Sequence, residues 1–117
     1  MDSGTTSIIL KALDCLSVRS LVTAQNVANA NTPGYRPMRV SFEQALAEAA
    51  QRGDNAVAQI APQIDSLPAD LGNGELRLDL ELATSATTAQ RYGGLINILD
   101  RQLQLQSLAI EGNVGGN

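Results

Sequence analysis

The sequence predicts an extended all-α chain, with long N- and C-terminal helices that pair as a coiled coil and an irregular middle loop, with or without a short β-hairpin. Three observations predict this. Apolar residues recur at three- and four-residue spacing near both ends of the chain. Pro33-Gly34 cuts the first of these patterns short. The stretch between the two patterns is broken by Gly53, Pro62, Pro68, Gly72 and Gly74. The chain therefore divides into residues 1–34 (helix and turn), 35–77 (middle segment with a short helix) and 78–117 (helix and flexible tail).

The first helix is expected from about Thr6 to Ala30, with Thr5 or Thr6 as its N-cap. Ile9, Leu13, Leu16, Ser20, Thr23, Val27 and Ala30 follow one another at alternating spacings of four and three. Leu10, Leu21, Val22, Ala24 and Ala28 widen the apolar surface, more than a compact monomer of this size covers. The helix leads into Asn29-Ala30-Asn31-Thr32-Pro33-Gly34-Tyr35. Asn31 tolerates the left-handed backbone that stops helices, and Pro33-Gly34 suits the central positions of a type II turn. An extended exit from Tyr35 to Val40 follows.

In the middle segment, Phe42, Ala45, Leu46 and Ala49 suit a short amphipathic helix capped by Ser41. From Arg52 to Gly74 no firm period survives, and Asp70-Leu71-Gly72-Asn73-Gly74 reads as a turn. The last helix is expected from about Asp79 to Gly112. Leu78, Leu82, Ser85, Ala89, Tyr92, Ile96, Leu99, Leu103, Gln106 and Ile110 repeat at three and four, a seam of about four heptads. Gly93-Gly94 inside it marks a bend or a close helix approach. Gly112-Asn113 is expected to end the helix. Leu95, Ile98, Leu105 and Leu108 lie off the seam and need other partners, for which neighbouring subunits are the simplest source.

Composition narrows the function. The chain has 117 residues, one Phe, two Tyr and no Trp, so a small aliphatic core must hold it together. A net charge of −4 with scattered cations argues against nucleic acid as a partner. The absence of His removes the commonest general base and metal ligand, and Cys15 sits among Leu13, Leu16 and Val18 as a small hydrophobe. Asp79 and Glu81 are two residues apart and so fall on different helix faces. No catalytic, cofactor-binding or metal-binding set is expected, and no small-molecule substrate. Met1-Asp2-Ser3-Gly4 lacks a basic region and Lys11 interrupts the first apolar stretch, so no cleaved secretory signal is expected.

Two stretches carry a resemblance. Ala12-Leu13-Asp14-Cys15-Leu16-Ser17-Val18-Arg19 leads into Gln25-Asn26-Val27-Ala28-Asn29-Ala30-Asn31-Thr32-Pro33-Gly34-Tyr35-Arg36. Together these resemble the N-terminal signature of the flagellar axial proteins, the rod and hook family. Val40-Ser41-Phe42-Glu43-Gln44-Ala45-Leu46 resembles the continuation in proximal rod members. Leu78-Asp79-Leu80-Glu81-Leu82 with Arg91-Tyr92 is similar to their C-terminal end, although Thr84-Ser85-Ala86-Thr87-Thr88 and Gly93-Gly94 depart from the family pattern.

The resemblance implies a structural subunit of the basal-body rod in the periplasm, exported by the flagellar type III system without a cleaved signal. It implies helical self-assembly around an export channel. The implied partners are other copies, neighbouring rod subunits, and the membrane ring and export-gate junction at the rod base. On this reading Asn26, Ala28, Asn29, Thr32, Pro33, Gly34 and Tyr35 form an assembly motif. Leu13, Leu16, Val27, Leu82, Ala89, Tyr92, Ile96, Leu99, Leu103 and Ile110 form the coiled-coil interface. The rival reading is an independent soluble helical adaptor.

Overall fold

A computed structural model describes residues 3–68 and 74–115. The element order is α1 (Ser3–Ala28), β1 (Met38–Ser41), α2 (Glu43–Arg52), α3 (Asp54–Ala58), β2 (Gln63–Ser66) and α4 (Gly74–Gly115). The molecule measures 69 × 27 × 14 Å. Its length is that of α4, whose 42 residues span about 63 Å at the α-helical rise.

Helix α1 is already formed at Ser3, where Ser7 Oγ donates to the Ser3 carbonyl at 3.0 Å. Thr5 and Thr6 therefore lie inside the helix and do not cap it. Its buried positions are Ile9, Leu13, Cys15, Leu16, Val22, Thr23 and Asn26. Ile9, Leu13, Leu16 and Thr23 belong to the predicted stripe, whereas Ser20 points to solvent and Asn26 is buried in place of Val27. The helix stops at Ala28, two residues early, because the chain tightens there. Ala30 N–H donates to the Val27 carbonyl at 3.2 Å and Thr32 N–H to the Asn29 carbonyl at 3.0 Å. Asn31 is not left-handed: among the described residues, positive φ occurs only at Gly34 and Gly53.

The expected type II turn is present. Tyr35 N–H donates to the Thr32 carbonyl at 3.2 Å across Pro33-Gly34, and Gly34 has φ 79°. The exit becomes β1, which pairs antiparallel with β2 in the register Met38↔Ser66 and Val40↔Ile64. The small sheet of the middle segment is thus built from its two ends, with α2 and α3 folded between the strands. Ser41 is paired with Gln63 in this ladder, so it does not cap α2. Phe42 occupies the cap position, with no side-chain cap. Gly53 (φ 110°, ψ 178°) separates α2 from α3, in a backbone region essentially reserved for glycine. Helix α3 was not expected, because five residues carry too little periodicity to show.

Helix α4 passes through Gly93, Gly94 and Gly112 without a break and continues to Gly115, the last described residue, so Gly112-Asn113 does not terminate it. Part of the expected turn at Asp70–Gly74 lies outside the described residues. Gly74 itself begins α4. Asn26 near one end of α1 meets Glu81, while Ile8 near the other end shares a groove with Ile98, so α1 and α4 run antiparallel. The C-terminal turns of α4 extend past α1.

The core lies where α2 and α3 cover the middle of α1. Cys15, Leu16, Phe42, Leu46, Ala49 and Val57 form it, with Ile8, Ala12, Ala56, Ile60 and Leu95 packed around them. Each such aliphatic or aromatic side chain contributes about 1.5–3 kcal/mol on burial. Cys15 is fully buried, and loss of hydration raises its pKa above the ordinary thiol value.

Candidate assembly interface

The corner where α1 turns into β1 is organised around one carboxamide. Asn26 lies on the face of α1 that packs against β1 and α4, and it is 3% exposed. Its Nδ2 donates to the Met38 carbonyl at 2.8 Å and to Glu81 Oε2 at 3.1 Å. Its Oδ1 accepts from Met38 N–H and from the Tyr35 hydroxyl, both at 3.0 Å. Two N–H donors and two lone pairs are the full capacity of an amide side chain, so Asn26 is saturated. It ties together the helix, the turn, the strand and α4. Arg77, one turn before Glu81 on α4, places Nη2 3.4 Å from Glu81 Oε1.

The other polar residues of the motif act locally. Asn29 Nδ2 donates to the Gln25 carbonyl at 2.9 Å, and Asn29 Oδ1 accepts from Thr32 Oγ1 at 3.1 Å. These bonds close the end of α1. Ala28, Thr32, Pro33 and Gly34 are exposed, and Asn29 and Tyr35 are half-buried. The motif therefore has an inward part, centred on Asn26 and Tyr35, and an outward rim.

A second polar link crosses three helices. Arg19 grips Glu43 with both Nη atoms at 2.7 Å and also donates to the Val40 carbonyl at 2.9 Å. Its guanidinium lies 4.9 Å from the Phe42 ring centroid. Arg91 of α4 reaches the same carboxylate at 3.1 Å. The Arg19 hydrogen bonds hold the Glu43 carboxyl well below its ordinary value, at about 2. Sequence reading did not single out either Arg19 or Glu43 as a link. Their 24-residue separation leaves no local signal.

Along α4, a line through buried Glu81 and Thr88 and half-buried Leu95 turns toward the rest of the molecule, with Leu78 and Leu99 of the predicted seam half-buried beside it. This line lies one position away from Leu82, Ala89 and Ile96 of the predicted seam. Of the predicted interface residues, Leu13 and Leu16 are buried in α1, while Val27 and Leu99 are half-buried. Leu82, Ala89, Tyr92, Ile96, Leu103 and Ile110 are exposed. The monomer thus brings Leu13 and Leu16 into its own core and leaves most of the α4 set facing outward. Apolar periodicity pointed away from the intramolecular line because two of that line's members, Glu81 and Thr88, are polar. The available signal was the need of a buried Asn26 for a polar partner.

Residues 11–36, most of α1 with the Pro33-Gly34 turn and with Asn26 and Tyr35 of the corner, match the family described as flagella basal body rod protein. The chain is similar to flagellar rod proteins of the FlgB type. The flagellar basal body rod protein FlgB of Escherichia coli (strain K12) is 39% identical over 51 residues, which is 44% of this chain and 37% of that protein. FlgB of Shigella flexneri matches to the same extent. The matched stretch therefore spans little more than a third of the length of these curated relatives. The family is one of structural rod proteins, and the chain's match to it rests on the segment that builds the saturated corner.

Proposed function

We propose that this chain is a structural subunit of a flagellar basal-body rod, which assembles through its terminal helices. One observation carries the reading: the stretch similar to rod proteins is also the stretch that fixes how α1, β1 and α4 meet, while α4 presents a long apolar surface that the monomer does not cover. A subunit of a shaft needs a rigid joint and adhesive helices, and it needs no reaction centre. Other copies and neighbouring rod subunits are the partners that would cover Leu82, Tyr92, Ile96, Leu103 and Ile110. The membrane ring and export-gate junction are the contacts proposed for the rod base. The proposed location is the periplasmic rod, reached by type III export without a cleaved signal.

Occupancy of the rod tests this reading. Basal bodies isolated from the bacterium that carries the gene, with the chain epitope-tagged, should hold the tag within the rod. Recovery of the chain as a dispersed monomer, with none in the basal bodies, would overturn the proposal in favour of an independent adaptor.

A further inference from the structure

We infer that the apolar groove between α1, α2 and α4 receives the C-terminal end of α4 from a second copy of this chain. The inference rests on the rod reading above and names the contact by which copies would meet. The groove has a volume of about 510 Å³. Ile8 and Ala12 of α1, Leu46 and Ala47 of α2, and Gly94 and Ile98 of α4 face it. Small side chains leave it open: a Cβ placed on Gly94 would meet nothing within 4 Å. Gly94 thus makes no close approach within the monomer, and the space above it is vacant.

The same chain carries a helix end that fits. From Gln102 to Ile110 α4 has no charged residue, and Leu105 and Leu108, three residues apart on one face, are 52% and 63% exposed. The stretch Leu103–Ile110 runs about 11 Å, and the groove's α1 wall from Ile8 to Leu16 runs about 12 Å, at the helical rise. Large side chains on one helix then meet a slot opened by Ala12, Ala47 and Gly94 between larger apolar walls, the arrangement of ridges in grooves. Charge agrees as well. The groove's two ionic residues, Glu43 and Arg91, already pair with each other at 3.1 Å, so an uncharged helix end would meet no unpaired charge there. Because α4 is one unbroken helix, its own end cannot fold back into its own groove. Groove and helix end are different patches, so each added copy leaves one of each exposed, the kind of contact that builds open assemblies.

Two glycines one position apart supply the test. Gly94→Leu fills the groove, whereas Gly93→Leu adds the same side chain beside it. Both replace a helical glycine by a better helix former, so neither should lower the helicity or melting temperature of the dilute monomer. Sedimentation velocity over a concentration series should show self-association weakened at least tenfold by Gly94→Leu and by Leu108→Ala, and unchanged by Gly93→Leu. In a second measurement, an Ala47→Cys chain is mixed with a Leu108→Cys chain under mild oxidation. A disulfide joining positions 47 and 108 of different copies is expected. Links only between like positions, or wild-type association of Gly94→Leu, would overturn the contact. A wild-type chain that stays monomeric would overturn it too, while the rod reading is decided separately by basal-body occupancy.

Discussion

The two ends of the long helix α4 sit in opposite circumstances. Near its start, Glu81 is buried against α1 and bonded to Asn26, and the surrounding turn and strand leave that carboxamide no unused valence. Near its finish, Leu108 and Ile110 are 63% and 64% exposed with no helix beside them. Covering such side chains would be worth about 25 cal/mol per Å² of apolar surface taken out of water, and the folded monomer leaves that gain unused. The difference teaches that one end of the long helix is packed on folding, while the other keeps its apolar side chains in water.

The strongest way to break this contrast is to cut into the core at one end and the surface at the other. Leu46→Ala should lower the unfolding free energy by about 3 kcal/mol, as expected for a buried leucine, while Leu105→Ala should change it by less than about 0.5 kcal/mol. Urea unfolding of the dilute monomer measures both. Equal losses would show that the far end of α4 is packed in the monomer after all.

Asn26→Ala comes next. It leaves Glu81 with Arg77 alone and takes the Asn26 oxygen from the Met38 N–H, and the loss should be about 2 kcal/mol for buried groups that lose a hydrogen bond. Hydrogen exchange should then show the first turns of α4 opening more readily, while the turns from Leu103 onward exchange fast in both proteins. Protection at Leu103–Ile110 in the wild-type monomer would contradict the contrast.

Gly34→Ala isolates the turn. A Cβ there meets no neighbour, so the cost is that of the left-handed backbone alone, about 1 kcal/mol. An unchanged melting temperature would show that the turn relaxes without cost.

The smallest effect is expected from acid. Glu43 titrates at about 2 in the folded chain against 4.5 ordinarily, so its pairing with Arg19 stabilises the fold above pH 4.5. That contribution fades as pH falls from 4.5 through about 2, and is gone only below that, where the carboxyl is protonated in both states. Its side chain is 49% exposed, so solvent and salt weaken the effect. Glu43→Gln should flatten the acid limb of a stability–pH curve, and an unaltered limb would remove Glu43 from the account.

Much of the architecture was legible in the sequence, and each miss has its own physical cause. The two long helices showed because three- and four-residue spacings repeat over many turns. The Pro33-Gly34 turn showed because both residues restrict or release φ locally. Helix α3 and the continuation of α4 past Gly112 did not show: the first is too short for a period, and the second passes through glycines that usually stop a helix. Ser41 read as a cap because its neighbours suit one, yet strand pairing with Gln63 claims its backbone. The intramolecular face of α4 was read one position away, since Glu81 and Thr88 hide it from any search for apolar residues.

By itself the sequence determined what depends on neighbours along the chain: which stretches are helical, where the first helix must stop, and that more apolar surface exists than one copy can cover. Only the tertiary structure decided which side of α4 turns inward, that β1 pairs with β2 around two small helices, and that Asn26 bonds to Glu81 across 55 residues of chain. The physical reason is reach. Backbone preferences and helical periods act within a few residues, whereas burial of a polar side chain is settled by whichever distant partner the folded chain brings within 3 Å of it.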